Sequence, residues 1–117
     1  MLDFSNSKIL IVGDVMLDKY YFGKVDRISP EAPVPIVNIQ KEESRLGGAS
    51  NVANNIVSLG GHSLLCGVIG HDLFGKEIER ISRHKNIDTF LLKTSSPTIT
   101  KARIIGGKQQ IVRVDYE

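Results

Sequence analysis

Two glycines followed by polar residues form the stretch of this sequence best suited to holding a small polar ligand. Gly47 and Gly48 precede Ala49-Ser50-Asn51 and a run with helical periodicity. Glycine has no Cβ, so backbone can lie directly against a ligand, and the first amides of a helix have no internal partner. A tight turn with close helix packing explains paired glycines equally well, so the surrounding residues must decide.

A carboxylate follows the first predicted strand. Residues 8–13 form a short apolar run ending in Gly, which is typical of a strand buried on both faces of a parallel sheet. Ligands of open α/β sheets bind beyond the carboxyl ends of the strands, so Asp14 is well placed to accept hydrogen bonds from sugar hydroxyls. A turn or capping role is the alternative for Asp14. As a ligand for sugar hydroxyls, Asp18 is a weaker candidate than Asp14.

Basic residues alternate with apolar ones near the end of the chain. Residues 98–105 and 110–116, separated by Gly106-Gly107, predict a β-hairpin. Such charges belong either to a solvated sheet face or to a surface that binds phosphate. One face of this hairpin carries three cations, Lys101, Arg103 and Arg113.

The remaining pattern predicts the elements that must position these groups. Residues 20–27 read as a short strand and turn, and residues 34–41 as a strand with one wet face, which together suggest a second, smaller β layer. A helix follows Gly48, and residues 62–70 form another apolar strand, so a right-handed parallel crossover is expected. Asp72 is predicted to cap a further helix, and residues 87–92 read as a strand.

Composition excludes several classes of protein. The chain has 117 residues, 41% of them hydrophobic and 24% charged, with a net charge of +2, which fits one small globular domain and gives no reason to expect nucleic acid as a partner. Its apolar runs are far shorter than the roughly 20 residues that cross a bilayer, and its amino terminus lacks a signal sequence, so a cytoplasmic location is expected. Cys66 is predicted to be a small core residue, and no metal site is expected because the three histidines lack ligand spacing.

Larger motifs resemble a known family. Gly47-Gly48-Ala49-Ser50-Asn51-Val52-Ala53, with Gly60 and Gly70 at matching distances, resembles the amino-terminal signature of the ribokinase-like (PfkB) sugar kinases. Residues 12–20, 27–35, 97–101 and 109–115 are similar to one branch, the D-glycero-β-D-manno-heptose 7-phosphate kinases, often the first half of a bifunctional ADP-heptose synthase.

This resemblance implies a fold, a reaction and a site. The fold is α/β, the amino-terminal part of a ribokinase-like fold, in which a Rossmann-like parallel sheet (core 8–19 and 47–92) carries a small β lid (20–42 and 98–116). The reaction is ATP- and Mg²⁺-dependent phosphorylation of heptose 7-phosphate at C1, on the route to the lipopolysaccharide core. Relatives pair as homo-oligomers through the lid. Sugar hydroxyls are expected at Asp14, Gly47, Gly48 and Asn51, and the 7-phosphate at Lys101, Arg103 and Arg113.

One departure from the family limits these expectations. The family's catalytic aspartate lies in a Gly-Ala-Gly-Asp motif that this sequence does not contain. Phosphoryl transfer needs both substrates and groups that stabilise the developing charge. The chain is therefore expected to be an inactive fragment that binds the sugar phosphate but neither ATP nor Mg²⁺ tightly. The alternatives are another PfkB sugar kinase, or a noncatalytic sugar-phosphate-binding or assembly module.

Overall fold

The computed structural model describes residues 2–117, which form seven strands and two helices. The strands are β1 (Lys8–Val12), β2 (Val15–Ile28), β3 (Pro35–Gly48), β4 (His62–Gly70), β5 (Asp88–Thr94), β6 (Ile99–Gly106) and β7 (Gln109–Tyr116). The helices are α1 (Ala49–Ser58) and α2 (Leu73–His84). Neither helix has the length and apolar character needed to cross a bilayer, a finding that holds for the described residues.

The first sheet has three parallel strands in the order β1-β4-β5. The predicted parallel crossover from β1 to β4 is confirmed, with Ile11 opposite Leu65. Burial alternates along β4: Leu65 is buried and Leu64 is exposed. Ala53 of α1 and Ile78 of α2 share one buried cluster with Leu65, so both helices cover the same face of this sheet.

The prediction that β1 is buried on both faces is wrong. Ile11 is buried, whereas Leu10 and Val12 are 60% and 74% exposed. The physical reason is that only one face of the sheet is covered by helices. An apolar run shows that a strand prefers burial, but it does not show which partner covers each face.

The second sheet has four strands in the order β3-β2-β6-β7, so it is larger than the first and not smaller as predicted. The strands β2 and β3 are antiparallel, β2 and β6 are parallel, and β6 and β7 form the predicted antiparallel hairpin. The strand β2 has 14 residues, because it begins at Val15 directly after the β1 turn instead of near Tyr20. Two register shifts interrupt its pairing with β3.

The hydrophobic core lies where the two sheets meet the helices. Residues from both sheets and both helices share one cluster: Ile11, Val15, Leu17, Leu46, Ala53, Leu65, Ile69, Ile78, Ile81 and Ile87.

The predicted cap of α2 is confirmed, because the Gly75 N–H donates to Asp72 Oδ1 at 2.8 Å. Cys66 is half-buried in β4 and has no cysteine partner, as the single cysteine of the sequence requires.

Candidate functional site

The site begins at the junction between β3 and α1, where Gly48 is the residue before the helix. Gly48 has φ +56°, a conformation that side chains with a Cβ rarely adopt. A Cβ there would lie 2.5 Å from the carbonyl oxygen of Asp14. That same oxygen accepts a hydrogen bond from the Ala49 N–H at 2.8 Å. Gly48 therefore lets the start of α1 dock against the turn after β1.

Gly47 has a different role, since it makes space for a carboxylate. A Cβ on Gly47 would lie 2.6 Å from Asp18 Oδ2. In the β2–β3 ladder, Gly47 pairs with Met16 and Arg45 pairs with Asp18. The side chains of Met16 and Asp18 point to the same face because residues two apart on a strand share a face. The Asp18 carboxylate can thus lie over the Gly47 backbone.

A cavity of about 390 Å³ brings this carboxylate together with the amides of α1. Asp18 and Asn51 both line it, and Asn54 stands one turn further along the helix. The complete lining is Asp18, Ser44, Arg45, Leu46, Asn51, Asn54, Ile81 and Lys85. Carboxylate and amide groups offer acceptors and donors for hydroxyls, so the cavity is chemically suited to a polyol or sugar.

Asp18 is the site residue to which the sequence pattern gave too little weight. Its position follows from β2 beginning at Val15, since the strand then carries Asp18 along the face that contains Gly47. The signal in the sequence was the alternation of Val15 and Leu17 with polar or bulky neighbours, which is the period of a strand. Both Val15 and Leu17 are buried, at 1% and 0% exposure.

Asp14 lies in a different place from Asn51. Asp14 lines a second cavity of about 240 Å³, which it forms with the turn after β5 and the start of β6. Asp14 is exposed, and its backbone carbonyl is the acceptor that holds Ala49. The structure therefore brings Asp18 and Asn51 into one cavity, with Gly47 against the Asp18 carboxylate, whereas Asp14 lines another cavity.

All three basic residues singled out on the hairpin form ion pairs. Arg103 Nη1 lies 2.9 Å from Asp18 Oδ1, and this hydrogen bond raises the pKa of the guanidinium. Arg113 and Lys101 both approach Asp115 Oδ2, at 2.9 and 3.7 Å. The hydrogen bond from Arg113 lowers the pKa of Asp115. Arg103 thus reaches the cavity through Asp18, whereas Lys101, on the same strand, and Arg113, on the edge strand β7, pair with Asp115 instead.

An aromatic ring supports the two guanidinium groups nearest the cavity. The guanidinium carbon of Arg45 lies 4.5 Å from the centroid of the Tyr20 ring, and that of Arg103 lies 5.2 Å from it. These distances are within the range of cation–π attraction. Arg45 also pairs with Glu43, at 2.8 Å. The ring therefore limits the positions that both cations can adopt.

A larger cavity lies elsewhere and has a different character. It measures about 630 Å³ and lies against the uncovered face of the first sheet, at the amino ends of β1 and β4. Ligands of open α/β sheets bind at the opposite, carboxyl ends of the strands. Its lining contains Lys8, Ile9, Leu10, His62, Ser63, Leu64 and Asp88. The cavity at the carboxyl ends of β1, β4 and β5 is the one that Asp14 lines. We place the candidate site at the 390 Å³ cavity because it combines the Asp18 carboxylate with the Asn51 and Asn54 amides.

Nowhere in residues 2–117 do three His, Cys, Asp or Glu side chains approach closely enough to hold a metal ion. No residue of that range is therefore assigned to Mg²⁺.

Residues 6–116 match the family model described as pfkB family carbohydrate kinase. The D-beta-D-heptose 7-phosphate kinase of Bordetella bronchiseptica is 51% identical over 114 residues, which is 97% of this chain and 36% of that protein. The bifunctional protein HldE of a Nitratiruptor species is 53% identical over 110 residues, which is 94% of this chain and 24% of that protein. The chain thus spans about a third or a quarter of these relatives.

Solved structures share the fold at lower identity. A carbohydrate kinase from Agrobacterium tumefaciens superposes with a TM-score of 0.75 at 18% identity, covering 93% of this chain and 35% of that one. A fructokinase with bound ATP from Xylella fastidiosa gives a TM-score of 0.67 at 22% identity, covering 95% and 33%. At these identities the likeness concerns the fold, and it confirms the expected ribokinase-like α/β architecture.

Proposed function

Because the chain belongs to the pfkB family of carbohydrate kinases, we propose that it forms the sugar-binding part of an ATP-dependent kinase for D-glycero-β-D-manno-heptose 7-phosphate. The observation that carries this proposal is the 51% identity to a heptose 7-phosphate kinase across 97% of the chain. The reaction would phosphorylate C1, a step on the route to ADP-heptose for the lipopolysaccharide core. A cytoplasmic location is part of this proposal.

The cavity around Asp18 is the proposed place for the sugar. The Asp18 carboxylate would accept hydrogen bonds from hydroxyl groups, and the Asn51 amide would complete the recognition. Gly47 and Gly48 would let backbone approach the ring, and Asp14, which lines another cavity, stays a predicted sugar ligand. Asp18 joins these predicted residues because it lines the same cavity as Asn51.

Lys101, Arg103 and Arg113 are the proposed ligands of the 7-phosphate. Arg103 has the strongest support because its guanidinium already lies 2.9 Å from a carboxylate oxygen of the cavity. A planar guanidinium binds phosphate through two hydrogen bonds. Lys101 and Arg113 share Asp115, so one of them can turn to a phosphate while the other keeps that carboxylate paired.

Phosphoryl transfer itself is assigned to residues outside this sequence. ATP and Mg²⁺ would act in the intact enzyme, where they supply the phosphoryl group and neutralise its charge. The Gly-Ala-Gly-Asp motif of the resemblance does not occur in these 117 residues. We therefore expect the isolated chain to bind the sugar phosphate without turnover.

Self-association through the second sheet is a further part of the proposal. The strand β7 is an edge strand, and Val112, Val114 and Tyr116 on it are 45%, 40% and 45% exposed. An exposed apolar edge pairs readily with another chain. Sedimentation velocity should detect a species larger than the 12.9 kDa monomer, and a monomer at all concentrations would exclude this interface.

Calorimetric titration of the 117-residue chain tests the proposed substrate. Heptose 7-phosphate should bind, whereas ATP should not, and fructose and ribose should bind more weakly than the heptose phosphate. Preferential binding of fructose or ribose would point to another sugar kinase. Binding of ATP but not of the sugar phosphate would contradict the proposal.

A further inference from the structure

A second polar cluster, separate from the cavity, joins the start of α2 to the start of β6. Asp72 Oδ1 accepts hydrogen bonds from the Gly75 N–H at 2.8 Å and from the Thr98 hydroxyl at 2.6 Å. Asp72 Oδ2 accepts one from the Thr98 N–H at 2.9 Å. The Thr98 oxygen in turn accepts from the Gly70 N–H at 2.8 Å. We call these four residues the Asp72–Thr98 clamp.

The clamp is more extensive than a helix cap requires. A cap needs one side-chain oxygen and one amide of the first turn, which Asp72 and Gly75 already provide. Thr98 adds hydrogen bonds from a residue 26 positions away, and it is 1% exposed. Its hydroxyl acts as both donor and acceptor, so a side chain without that hydroxyl would leave the buried Gly70 N–H without this acceptor and remove one hydrogen bond to the half-buried Asp72 carboxylate.

Glycines let the three backbone segments converge at the clamp. A Cβ on Gly70 would lie 2.5 Å from the carbonyl oxygen of Ser96, and a Cβ on Gly75 would lie 2.7 Å from that of Gly70. The end of β4, the first turn of α2 and the segment before β6 are therefore packed backbone to backbone. On the side that faces Gly70 and Gly75, close packing therefore restricts the position of Thr98.

The strand that follows the clamp carries the cations of the proposed site. Thr98 is the residue before β6, which begins at Ile99 and includes Lys101 and Arg103. Parallel pairing sets Met16 opposite Ile99 and Tyr20 opposite Arg103. No tight turn connects β2 with β6, so local turn geometry cannot fix this register as it does in a hairpin.

We propose that Asp72 and Thr98 are positioning residues, which hold the start of β6 so that Arg103 meets Asp18. Asp72 and Gly70 belong to the α/β layer, and their hydrogen bonds to Thr98 fix where β6 starts in the sheet that carries the basic residues. The clamp's role in sugar-phosphate binding rests on the function proposed above, whereas its effect on the Arg103–Asp18 pair does not.

The test compares Thr98→Val, which keeps the shape but removes the hydroxyl, with Thr98→Ser, which keeps the hydroxyl. The NMR signals of the Arg103 side-chain N–H groups report its ion pair with Asp18. In Thr98→Val these signals should shift and broaden, and heptose 7-phosphate should bind at least about fivefold more weakly, from the loss of orientation. Thr98→Ser should retain both properties of the wild type.

Unchanged Arg103 signals in a folded Thr98→Val protein would overturn the proposal. If Thr98→Val does not fold, hydrogen exchange in the wild type decides: the Gly70, Gly75 and Thr98 amides should exchange as slowly as the core amides, and fast exchange would overturn it. If the wild type does not bind the sugar phosphate, the proposed function fails, while the Arg103 signals and the exchange rates still test the clamp.

Discussion

Arg103 on β6 and Asp18 on β2 form an ion pair at 2.9 Å across 85 positions of sequence. Asp18 also lies over Gly47 and lines the cavity that contains Asn51. One carboxylate is thus shared between a cation and the space proposed for a sugar. A ligand in that space would meet a carboxylate whose orientation is already restricted, which lowers the entropic cost of binding.

Asp18→Asn tests the carboxylate of the cavity. The amide keeps the shape but loses the negative charge and one acceptor, so heptose 7-phosphate should bind about 10- to 100-fold more weakly, the loss expected for a hydrogen bond to a charged group. Asp88→Asn, at an exposed residue of the cavity beside the uncovered sheet face, is the matched control and should bind like the wild type. Equal affinities for Asp18→Asn and wild type in calorimetry would remove Asp18 from the site.

Single replacement of Lys101, Arg103 and Arg113 by Gln tests the proposed phosphate ligands. Each change should weaken binding of the phosphorylated heptose by at least about threefold. Lys101→Gln and Arg113→Gln should leave binding of the same sugar without its phosphate within about twofold, because that sugar carries no charge to attract these cations. Arg103→Gln also removes the partner of Asp18 and should weaken binding of both sugars, the phosphorylated one more. Lys93→Gln is the control, since Lys93 pairs with Glu79 on another part of the molecule. Equal losses for both sugars would mean that the cations act on the fold and not on the phosphate.

Gly48→Ala tests the junction between β3 and α1. We expect a loss of about 2 to 4 kcal/mol in the free energy of unfolding, because the new Cβ adds contact with the Asp14 carbonyl to the strain of a positive φ. Gly60→Ala is a matched control: its φ is +93°, but nothing lies within 4 Å of the added Cβ. In urea unfolding, the free energy of unfolding of Gly60→Ala should fall by only about 1 kcal/mol. Equal losses would show that close packing at Gly48 contributes little.

The pH dependence of stability tests the carboxylate of the clamp. Burial raises the pKa of Asp72, but the hydrogen bonds from Thr98 and Gly75 outweigh burial and lower that pKa below 3.8. A lowered pKa stabilises the fold above the unfolded-state value, and this contribution is lost as pH falls through the folded-state value. Wild type should therefore exceed Asp72→Asn in stability at pH 7, and the difference should shrink below about pH 4.

Most other titrating groups contribute equally to the free energies of unfolding of wild type and Asp72→Asn, so their effects cancel in the difference between the two. Urea unfolding at pH 7, 5, 4 and 3 is the measurement. A difference that stays constant over this range would show that the charged form of Asp72 has no special role. Asp88→Asn, at an exposed residue, should differ little from the wild type in free energy of unfolding at every pH.

Local patterns were sufficient to predict several elements. The helix after Gly48, the parallel pairing of β1 with β4, the cap at Asp72 and the final hairpin were all predicted correctly. The helix, the cap and the hairpin each depend on residues close in sequence: a 3.6-residue period, a capping carboxylate or a glycine turn. The pairing of β1 with β4 joins distant residues, and it was predicted from the order of strand, helix and strand. The family resemblance also follows from short motifs, and residues 6–116 match the family.

The sequence by itself determined the family, the main elements and the importance of Gly47, Gly48 and Asn51 as candidates. Only the tertiary structure decided that Asp18, and not Asp14, shares a cavity with Asn51, and that one face of the first sheet is uncovered. The physical reason is strand register: a shift of one residue turns every side chain to the opposite face. That register, with Asp18 beside Arg45 and close to Arg103, depends on contacts between strands far apart in the chain.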